Sequence, residues 1–434
     1  MLAIPQGSSN DWNQNQDVSH LWGQYSPEFS VPSEISPTIP AGCNITFVQV
    51  LSRHGARDPT SSKTKEYNAT IRQLQKNVTS FTGQYAFLKD YVYSLGADEL
   101  TSFGQQEMYD AGTAFARRYT SLVSSNVPFV RAGSESRVVK SAQNWTQGFQ
   151  SARSKYSTIP VVAVDEDDRN VTLAGAYCPA FTDGIYSEVG DDAQSTFNQI
   201  WVPAVQKRLN AQMPGANLTL SQTIDLMDLC PFETVASTGG STLSSFCGLF
   251  TYEEWDAYNH YQTLGKFYGH GNGNPLGPSQ GIGWVNELLA RMTNKPVEDH
   301  TNTNSTLDSN PGMFPVGLKV YADFSHDNQI TGILSALGLY NKTVMLPNTT
   351  IVGANSTEAA GYSAAWTVSF AARSYYEKMQ CSGQQEELVR VLVNDRVVPL
   401  AGCGADSLGR CTFSTFVKSQ SFAQSGGQWH KCFE

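Results

Sequence analysis

The hydrophobic pattern predicts short buried strands that alternate with amphipathic helices. Runs of β-branched and aromatic residues predict strands at 44–52, 128–132, 161–164 and 318–325, and a strand pair at 388–398 that turns at Asn394-Asp395. Apolar residues at helical spacing predict helices at 101–123, 194–209, 251–268 and 328–337. Ser102, with Gln105 three residues later, predicts a capping box at the start of the first helix. Alternating strands and helices favour the α/β class.

The order of these elements divides the chain into three parts. Residues 1–40 are polar and rich in proline, which predicts an arm that lies on the body of the protein. Residues 41–189 and 311–434 carry the alternating elements of an α/β domain. Residues 190–310 contain helical patterns only, which predicts a smaller inserted all-α lobe. A chain of 434 residues is long enough for two such units.

Composition and charge narrow the function classes. The net charge of −10 argues against a nucleic-acid partner. No apolar run approaches the roughly 18 residues that a membrane helix needs, so no membrane partner is expected either. Hydrophobic residues make up 40% of the chain, which excludes wholesale disorder.

Cysteines and glycosylation sequons indicate an extracellular protein. Eight dispersed cysteines without a C-x-x-C pair suit four disulfides in an oxidising compartment. They allow 105 pairings; Cys230–Cys247 and Cys403–Cys411 are plausible local loops, and Cys43–Cys381 would join the start of the fold to its end. Ten N-x-[S/T] sequons predict a heavily glycosylated, secreted chain. They lie at Asn44, Asn68, Asn77, Asn144, Asn170, Asn217, Asn304, Asn341, Asn348 and Asn355.

The first five residues lack the features of a secretion signal. Met1 to Pro5 contain no basic residue, and no apolar stretch of signal-peptide length follows. We therefore expect that a signal peptide has been removed and that Met1 was added for expression.

The segment Arg53-His54-Gly55-Ala56-Arg57-Asp58-Pro59 is the strongest chemical signal in the chain. It follows the first predicted strand, and ligands of α/β sheets bind beyond the carboxyl ends of strands. Guanidinium groups suit phosphate oxygens, and a histidine between them can attack phosphorus and carry the phosphoryl group. The pattern predicts a phosphate site with His54 as nucleophile.

Two further segments predict the rest of such a site. His326-Asp327 follows another apolar strand, and an acidic residue there can protonate the leaving oxygen of a phosphate ester. The segment from Arg131 to Arg137 follows the strand at 128–132 and can bring another arginine to the same edge.

Together these segments resemble the histidine acid phosphatases, within the phosphoglycerate-mutase-like superfamily, and within them the secreted fungal phytases. Further similar stretches are 19–25, 268–278, 322–327, 391–400 and 425–427. The resemblance implies an α/β domain with a mixed central sheet flanked by helices and an inserted all-α domain. It implies that His54 is the nucleophile and that Asp327 is the proton donor. It also implies four phosphate ligands, Arg53, Arg57, Arg137 and His326.

The resemblance extends to disulfides and substrate contacts. It implies the pairs Cys43–Cys381, Cys178–Cys432, Cys230–Cys247 and Cys403–Cys411, while a fifth pair near the N-terminus of such phytases has no cysteines here. It places Lys63 and Lys266 at positions whose basic side chains meet the other phosphates of inositol hexakisphosphate, and Gln24 at the position of a residue that modulates substrate binding. Glu66 and Gly265 stand where some relatives have lysine, which weakens the positive field of the pocket.

The sequence therefore predicts a secreted, monomeric phosphatase that hydrolyses phosphate monoesters of myo-inositol hexakisphosphate through a phosphohistidine. No metal-binding motif is present, so neither a metal nor another cofactor is expected. Protonation of all seven histidines changes the net charge from −10 to −3, and we expect activity to fall toward neutrality. The alternatives are a broad-specificity histidine acid phosphatase and a non-catalytic, phosphate-binding secreted glycoprotein.

Overall fold

An eight-stranded mixed sheet forms the centre of the protein. The computed structural model describes residues 16–155, 157–166, 170–175, 177–240 and 242–434. The expected start of the mature chain falls within residues 1–15 and lies outside the described residues. The strands are β1 Cys43–Arg53, β2 Phe129–Gly133, β3 Val161–Val164, β4 Val320–Ser325, β5 Arg373–Cys381, β6 Leu388–Val393, β7 Arg396–Val397 and β8 Arg410–Thr412.

The strand order is β3-β2-β4-β1-β5-β6-β7, and β8 pairs with β6. Neighbours from β3 to β1 run parallel, whereas the pairs from β1 to β7 and the pair of β6 with β8 are antiparallel. The predicted mixed α/β sheet is thereby confirmed. In the parallel half, the carboxyl ends of β1, β2, β3 and β4 meet at one edge, which is where ligand sites form in such sheets.

Helices cover the sheet and continue beyond it. The longer ones are α1 Ser61–Asn77, α2 Ser102–Arg118, α3 Ser136–Ala152, α4 Val189–Gln212, α5 Leu220–Ala236, α6 Tyr252–His270, α7 Ile282–Thr293, α8 Asp327–Ala336 and α9 Phe413–Ser419. Single helical turns, α-helical or 3-10, lie at Gln16–Ser19, Gly23–Tyr25, Gly83–Lys89, Thr120–Val123, Pro179–Thr182, Thr238–Gly240, Ser245–Leu249, Gly277–Gln280, Ser305–Asp308, Ala364–Thr367, Ala401–Cys403, Ser421–Gln424 and Trp429–Phe433. Between 179 and 293 the described residues contain helices and no strand. The division into an α/β domain and a helical lobe at 190–310 stays a prediction.

The helix predicted at 101–123 differs from the structure in two details. It is interrupted at Tyr119, whose hydroxyl donates to Glu377 Oε1 at 2.7 Å. The cap is Thr101, whose hydroxyl accepts the N–H of Gly104, so the capping box predicted at Ser102 is wrong. A buried tertiary contact therefore decides where this helix ends.

The sheet is packed on both faces. Val48 and Val50 of β1 belong to the core beneath α2 and α3, whereas Phe47 and Leu51 belong to the core on the opposite face. A third core lies among the helices and includes Trp22, which is fully buried. Side chains of one strand alternate between faces, so a strand covered on both sides reads as one continuous apolar run.

The disulfides agree with the pairs that the resemblance implies, whereas glycosylation of the sequons stays a prediction. The four bridges are Cys43–Cys381, Cys178–Cys432, Cys230–Cys247 and Cys403–Cys411. None of the ten sequon asparagines is buried, so a glycan can reach each of them. Across the described residues, no helix combines the length and apolarity required to cross a bilayer.

Candidate active site

The predicted site residues converge at the edge where the four parallel strands end. His54 follows β1, Arg137 lies in the first turn of α3 after β2, and Asp327 follows β4. α3 and α8 both begin at this edge, so their amino-terminal dipoles add positive potential there. Segments far apart in the sequence thus form one positively charged cluster.

His54 is a buried, neutral imidazole. Its Nδ1 lies 2.8 Å from the carbonyl oxygen of Gly55. A carbonyl oxygen only accepts, so Nδ1 carries the proton and Nε2 keeps the lone pair. Burial first, and then nearby cations, hold the pKa of His54 well below its usual value. These cations are Arg53, Arg57, His326 and Arg137. The imidazole therefore keeps the lone pair of its Nε2 in acidic solution.

The three arginines present donors without protein partners. The Nε atoms of Arg53, Arg57 and Arg137 are buried and have no hydrogen-bond acceptor among the described residues. Unmade hydrogen bonds of buried donors cost free energy, which an anion bound between them would recover. Arg53 is held in place by the main-chain oxygens of Gln24 and Val368, and its guanidinium lies 4.6 Å from the centroid of the Phe370 ring.

Asp327 is ionised in the free protein. Its Oδ2 lies 2.8 Å from Lys266 Nζ and 3.2 Å from Arg53 Nη2. Burial opposes the charge on Asp327, but these two cations outweigh burial and hold its pKa well below its usual value. For Lys266 the balance is reversed: burial and two arginines lower its pKa more than one carboxylate raises it. Asp327 can therefore take up a proton near its usual pKa only where the attraction of these cations is weakened.

His326 is paired with a residue that the sequence did not single out. Its Nε2 lies 2.9 Å from Glu166 Oε2, and its ring centroid lies 5.6 Å from that of His54. Glu166 follows β3 by two residues, and both side chains of the pair are about 85% buried. The only signal for Glu166 in the sequence is an acidic residue after a short apolar strand, which is too common to interpret.

A cavity of about 490 Å³ adjoins the cluster at Lys266 and Asn328. His54 and the three arginines are not part of its walls, so it offers room for the remainder of a substrate rather than for the reacting phosphate. Gln24 and Lys63 line it, while their contact with substrate stays a prediction. Gln24 Nε2 donates to Gln262 Oε1 at 2.7 Å. Lys63 Nζ lies 2.6 Å from Glu66 Oε2, and this ion pair offsets the positive charge of Lys63.

The cavity also has acidic walls, which the sequence did not predict. Asp191, Asp225 and Asp228 line it. Burial raises the pKa of Asp228 to about 6, against hydrogen bonds from Tyr258 and Tyr67 that lower it. Burial likewise raises the pKa of Asp225. The negative charge of this wall therefore decreases in acidic solution.

Arg131 takes a different place from Arg137. It lies inside the protein, with Nη2 at 2.6 Å from Glu287 and 2.9 Å from Asp323. Of the two arginines in the segment from Arg131 to Arg137, only Arg137, which follows β2, belongs to the site at the sheet edge.

Comparison with known proteins identifies the family. The chain matches the family model of the histidine phosphatase superfamily (branch 2) over residues 44–394. It is 52% identical to Phytase A of Aspergillus awamori over 428 residues, which cover 96% of this chain and 91% of that protein. The chain belongs to branch 2 of the histidine phosphatase superfamily. Phytase A of Penicillium oxalicum is 49% identical, with coverage of 96% and 92%.

Solved structures of two phosphatases share the fold. The phytase from D. castellii has a TM-score of 0.77 at 24% identity and covers 100% of this chain and 93% of its own. A Bifidobacterium longum multiple inositol polyphosphate phosphatase, solved with inositol hexasulfate, has a TM-score of 0.67 at 15% identity, with coverage of 94% and 98%. The fold class predicted from the sequence resemblance is confirmed.

Proposed function

We propose that this histidine phosphatase is a secreted acid phosphatase that hydrolyses phytate, myo-inositol hexakisphosphate. One observation carries the proposal: a neutral buried His54 stands among three arginines whose Nε donors are unpartnered, next to Asp327 and a cavity that can hold the rest of a substrate. The similarity to Phytase A over 96% of the chain supports the substrate. Four disulfides and ten accessible sequons support secretion.

In the proposed reaction, Nε2 of His54 attacks phosphorus and forms an N–P bond. The ester P–O bond breaks, and the leaving oxygen takes the proton of Asp327. A water molecule then attacks the phosphohistidine, Asp327 accepts a proton from it, and inorganic phosphate leaves. The guanidinium groups stabilise the charge on the equatorial oxygens in both steps.

Asp327 is an anion in the free protein, so its proton must be taken up when substrate binds. The dianionic phosphate shares Arg53 and adds negative charge beside the carboxylate, and both effects favour protonation. The conditions that supply this proton are acidic, so we expect activity to fall toward neutrality.

The test compares wild type, His54→Ala and Asp327→Asn on phytate and on p-nitrophenyl phosphate. We expect no phosphate release by His54→Ala. Asp327→Asn should lose about 10²- to 10⁴-fold in kcat on phytate, the usual contribution of a general acid. It should lose less on the aryl ester, because p-nitrophenolate leaves without a proton. Asp90→Asn, at an exposed carboxylate, is the control.

Acid quench with ³²P-labelled substrate distinguishes the non-catalytic alternative. A phosphoryl group trapped on wild type and absent from His54→Ala supports the proposed chemistry. If the protein binds phosphate but shows neither trapped label nor turnover, the result supports a non-catalytic, phosphate-binding glycoprotein.

Broad-specificity phosphatase activity is the second candidate, and the pocket charges favour it. Glu66 forms an ion pair with Lys63, and three aspartates line the cavity. A kcat/KM for p-nitrophenyl phosphate that equals or exceeds that for phytate would establish the broad specificity.

A further inference from the structure

Strand β3 also ends at the edge that carries the site. Glu166 lies two residues beyond the end of this strand. Glu166 Oε2 lies 2.9 Å from His326 Nε2, and the two side chains are 13% and 15% exposed. The roles assigned above belong to residues that follow β1, β2 and β4. Glu166 adds a carboxylate to this edge, where most of the other site residues are cations.

The position of Glu166 is fixed by the loop between β2 and α3. Its Oε1 accepts the N–H of Glu135 at 3.1 Å, and its own N–H donates to Ser134 Oγ at 3.1 Å. A Cβ on Gly133 would lie 2.1 Å from Glu166 Oε1, so only glycine leaves room for this carboxylate. The loop that presents Arg137 thus also holds Glu166 against His326.

The number of hydrogens on the two ring nitrogens of His326 decides what its contact with Glu166 can do. With Nε2 of His326 directed at Glu166, Nδ1 is the nitrogen left for a phosphate oxygen. A carboxylate oxygen and a phosphate oxygen both accept hydrogen bonds, so both ring nitrogens must carry hydrogen. Only the imidazolium form has two N–H donors. His326 can hold phosphate and Glu166 together only as a cation.

The surroundings would otherwise resist that cation. Among the described residues, His54, Glu135 and Arg137 contact or act on the pair, while Arg53, Arg57 and Asp327 act on the neighbouring His54 or are acted on by it. Three are arginines, Glu135 is paired with Arg137, and Asp327 is bound by Arg53 and Lys266. Burial opposes ionisation of Glu166, but the hydrogen bond and charge of His326 hold its pKa below the usual value, so it is a carboxylate in acidic solution.

We propose that Glu166 is a positioning residue that keeps His326 doubly protonated and directs its Nδ1–H to the substrate phosphate. The proposal rests on the proposed function, in which His326 is a phosphate ligand. Glu166 itself touches no substrate atom; it acts through His326 and widens the pH range in which phosphate binds tightly.

The test replaces Glu166 by the isosteric, uncharged glutamine and uses inorganic phosphate as a competitive inhibitor of p-nitrophenyl phosphate hydrolysis. At about pH 4 the abundance of protons should make the second N–H donor of the ring available without help from residue 166, and the inhibition constants of the two proteins should agree. At about pH 6, Glu166→Gln should bind phosphate about tenfold more weakly than wild type, the effect of moving one titration by one pH unit. Glu298→Gln, at an exposed carboxylate, should match wild type throughout.

Two further variants separate this role from a structural one. Glu166→Asp keeps the charge and should show a smaller loss at pH 6 than Glu166→Gln; an equal loss would overturn the proposal. In a His326→Asn background, Glu166→Gln should have no additional pH-dependent effect. An additional effect there, or a loss in Glu166→Gln that is equal at all pH values, would also overturn it.

The acid quench keeps this inference distinct from the proposed function. Glu166→Gln should still trap the phosphoryl group on His54 at about pH 4. If Glu166→Gln traps the phosphoryl group but its phosphate inhibition depends on pH as in wild type, the role of Glu166 is overturned and the proposed function stands. Failure to trap label on the wild-type protein overturns the proposed function itself.

Discussion

Lys266 offers a direct test of how the site controls the proton of Asp327. Lys266 Nζ lies 2.8 Å from Asp327 Oδ2, and Arg53 Nη2 lies 3.2 Å from the same oxygen. Replacement of Lys266 by glutamine removes one of these two cations and keeps a hydrogen-bond donor. We expect Asp327 to retain its proton to a higher pH in this variant.

The size of the effect follows from the separation of the charges. At 2.8 Å and an effective dielectric constant of about 20, the Coulomb attraction is about 6 kcal/mol before burial is counted. A neighbouring cation typically lowers the pKa of a carboxyl by about 1–3 units. Because Arg53 remains, we take the lower end. The alkaline limb of kcat/KM for glycerol 2-phosphate, an alkyl ester whose leaving oxygen needs a proton, should move up by about one pH unit, or about 1.4 kcal/mol.

The substrate decides how this change appears. On glycerol 2-phosphate, Lys266→Gln should exceed wild-type kcat/KM by up to about tenfold on the alkaline limb, whereas p-nitrophenyl phosphate, whose leaving group needs no proton, should show a smaller change. On phytate, KM should rise, because a cation of the cavity is lost. Lys266→Arg should keep the wild-type profile, and Lys207→Gln, at an exposed lysine of α4, controls for net charge. An alkaline limb that stays in place or moves to lower pH would refute the assignment of Asp327 as the titrating acid.

Two stability predictions concern the buried charges behind the sheet edge. Arg131→Met leaves Glu287 and Asp323 with less compensation and should lower the free energy of unfolding by about 3–5 kcal/mol, measured by denaturant titration; a loss below 1 kcal/mol would contradict it. Burial and the charge of Glu287 raise the pKa of Asp308 to about 8, so the folded state increasingly disfavours its ionised form as pH rises from about 4 to 8. Asp308→Asn should match wild-type thermal stability at pH 4 and exceed it at pH 8; equal melting temperatures at both pH values would contradict this.

Local sequence patterns were sufficient for the parts of the site that directly follow strands. Continuous apolar runs predicted β1, β3 and β4, and His54 and Asp327 lie within two residues of a strand end. Because the first four strands run parallel, their carboxyl ends meet, and residues far apart in the chain become neighbours. The resemblance added the roles of these residues, which spacing alone did not supply.

Features that depend on side chains from other elements were not predictable. Helix α2 ends at Arg118 because Tyr119 turns to reach Glu377 on β5. Glu166 has no distinguishing sequence context, and its meaning arises only from the contact with His326. Nor does a helical pattern reveal that Asp228 faces a cavity, since buried carboxylates and exposed ones occupy similar positions in the sequence.

Acidic solution leaves His54 neutral but reduces the negative charge of the cavity. The pKa of His54 is depressed, so the nucleophile stays neutral while Asp228, with its pKa raised to about 6, takes up protons. The overall change from −10 to −3 overstates this effect, because burial also lowers the pKa of His260, and that of His270 to about 4. A polyphosphate responds mainly to the charges close to it. Between neutral and mildly acidic pH the cavity loses carboxylate charge, while the arginines stay charged and His54 Nε2 stays unprotonated.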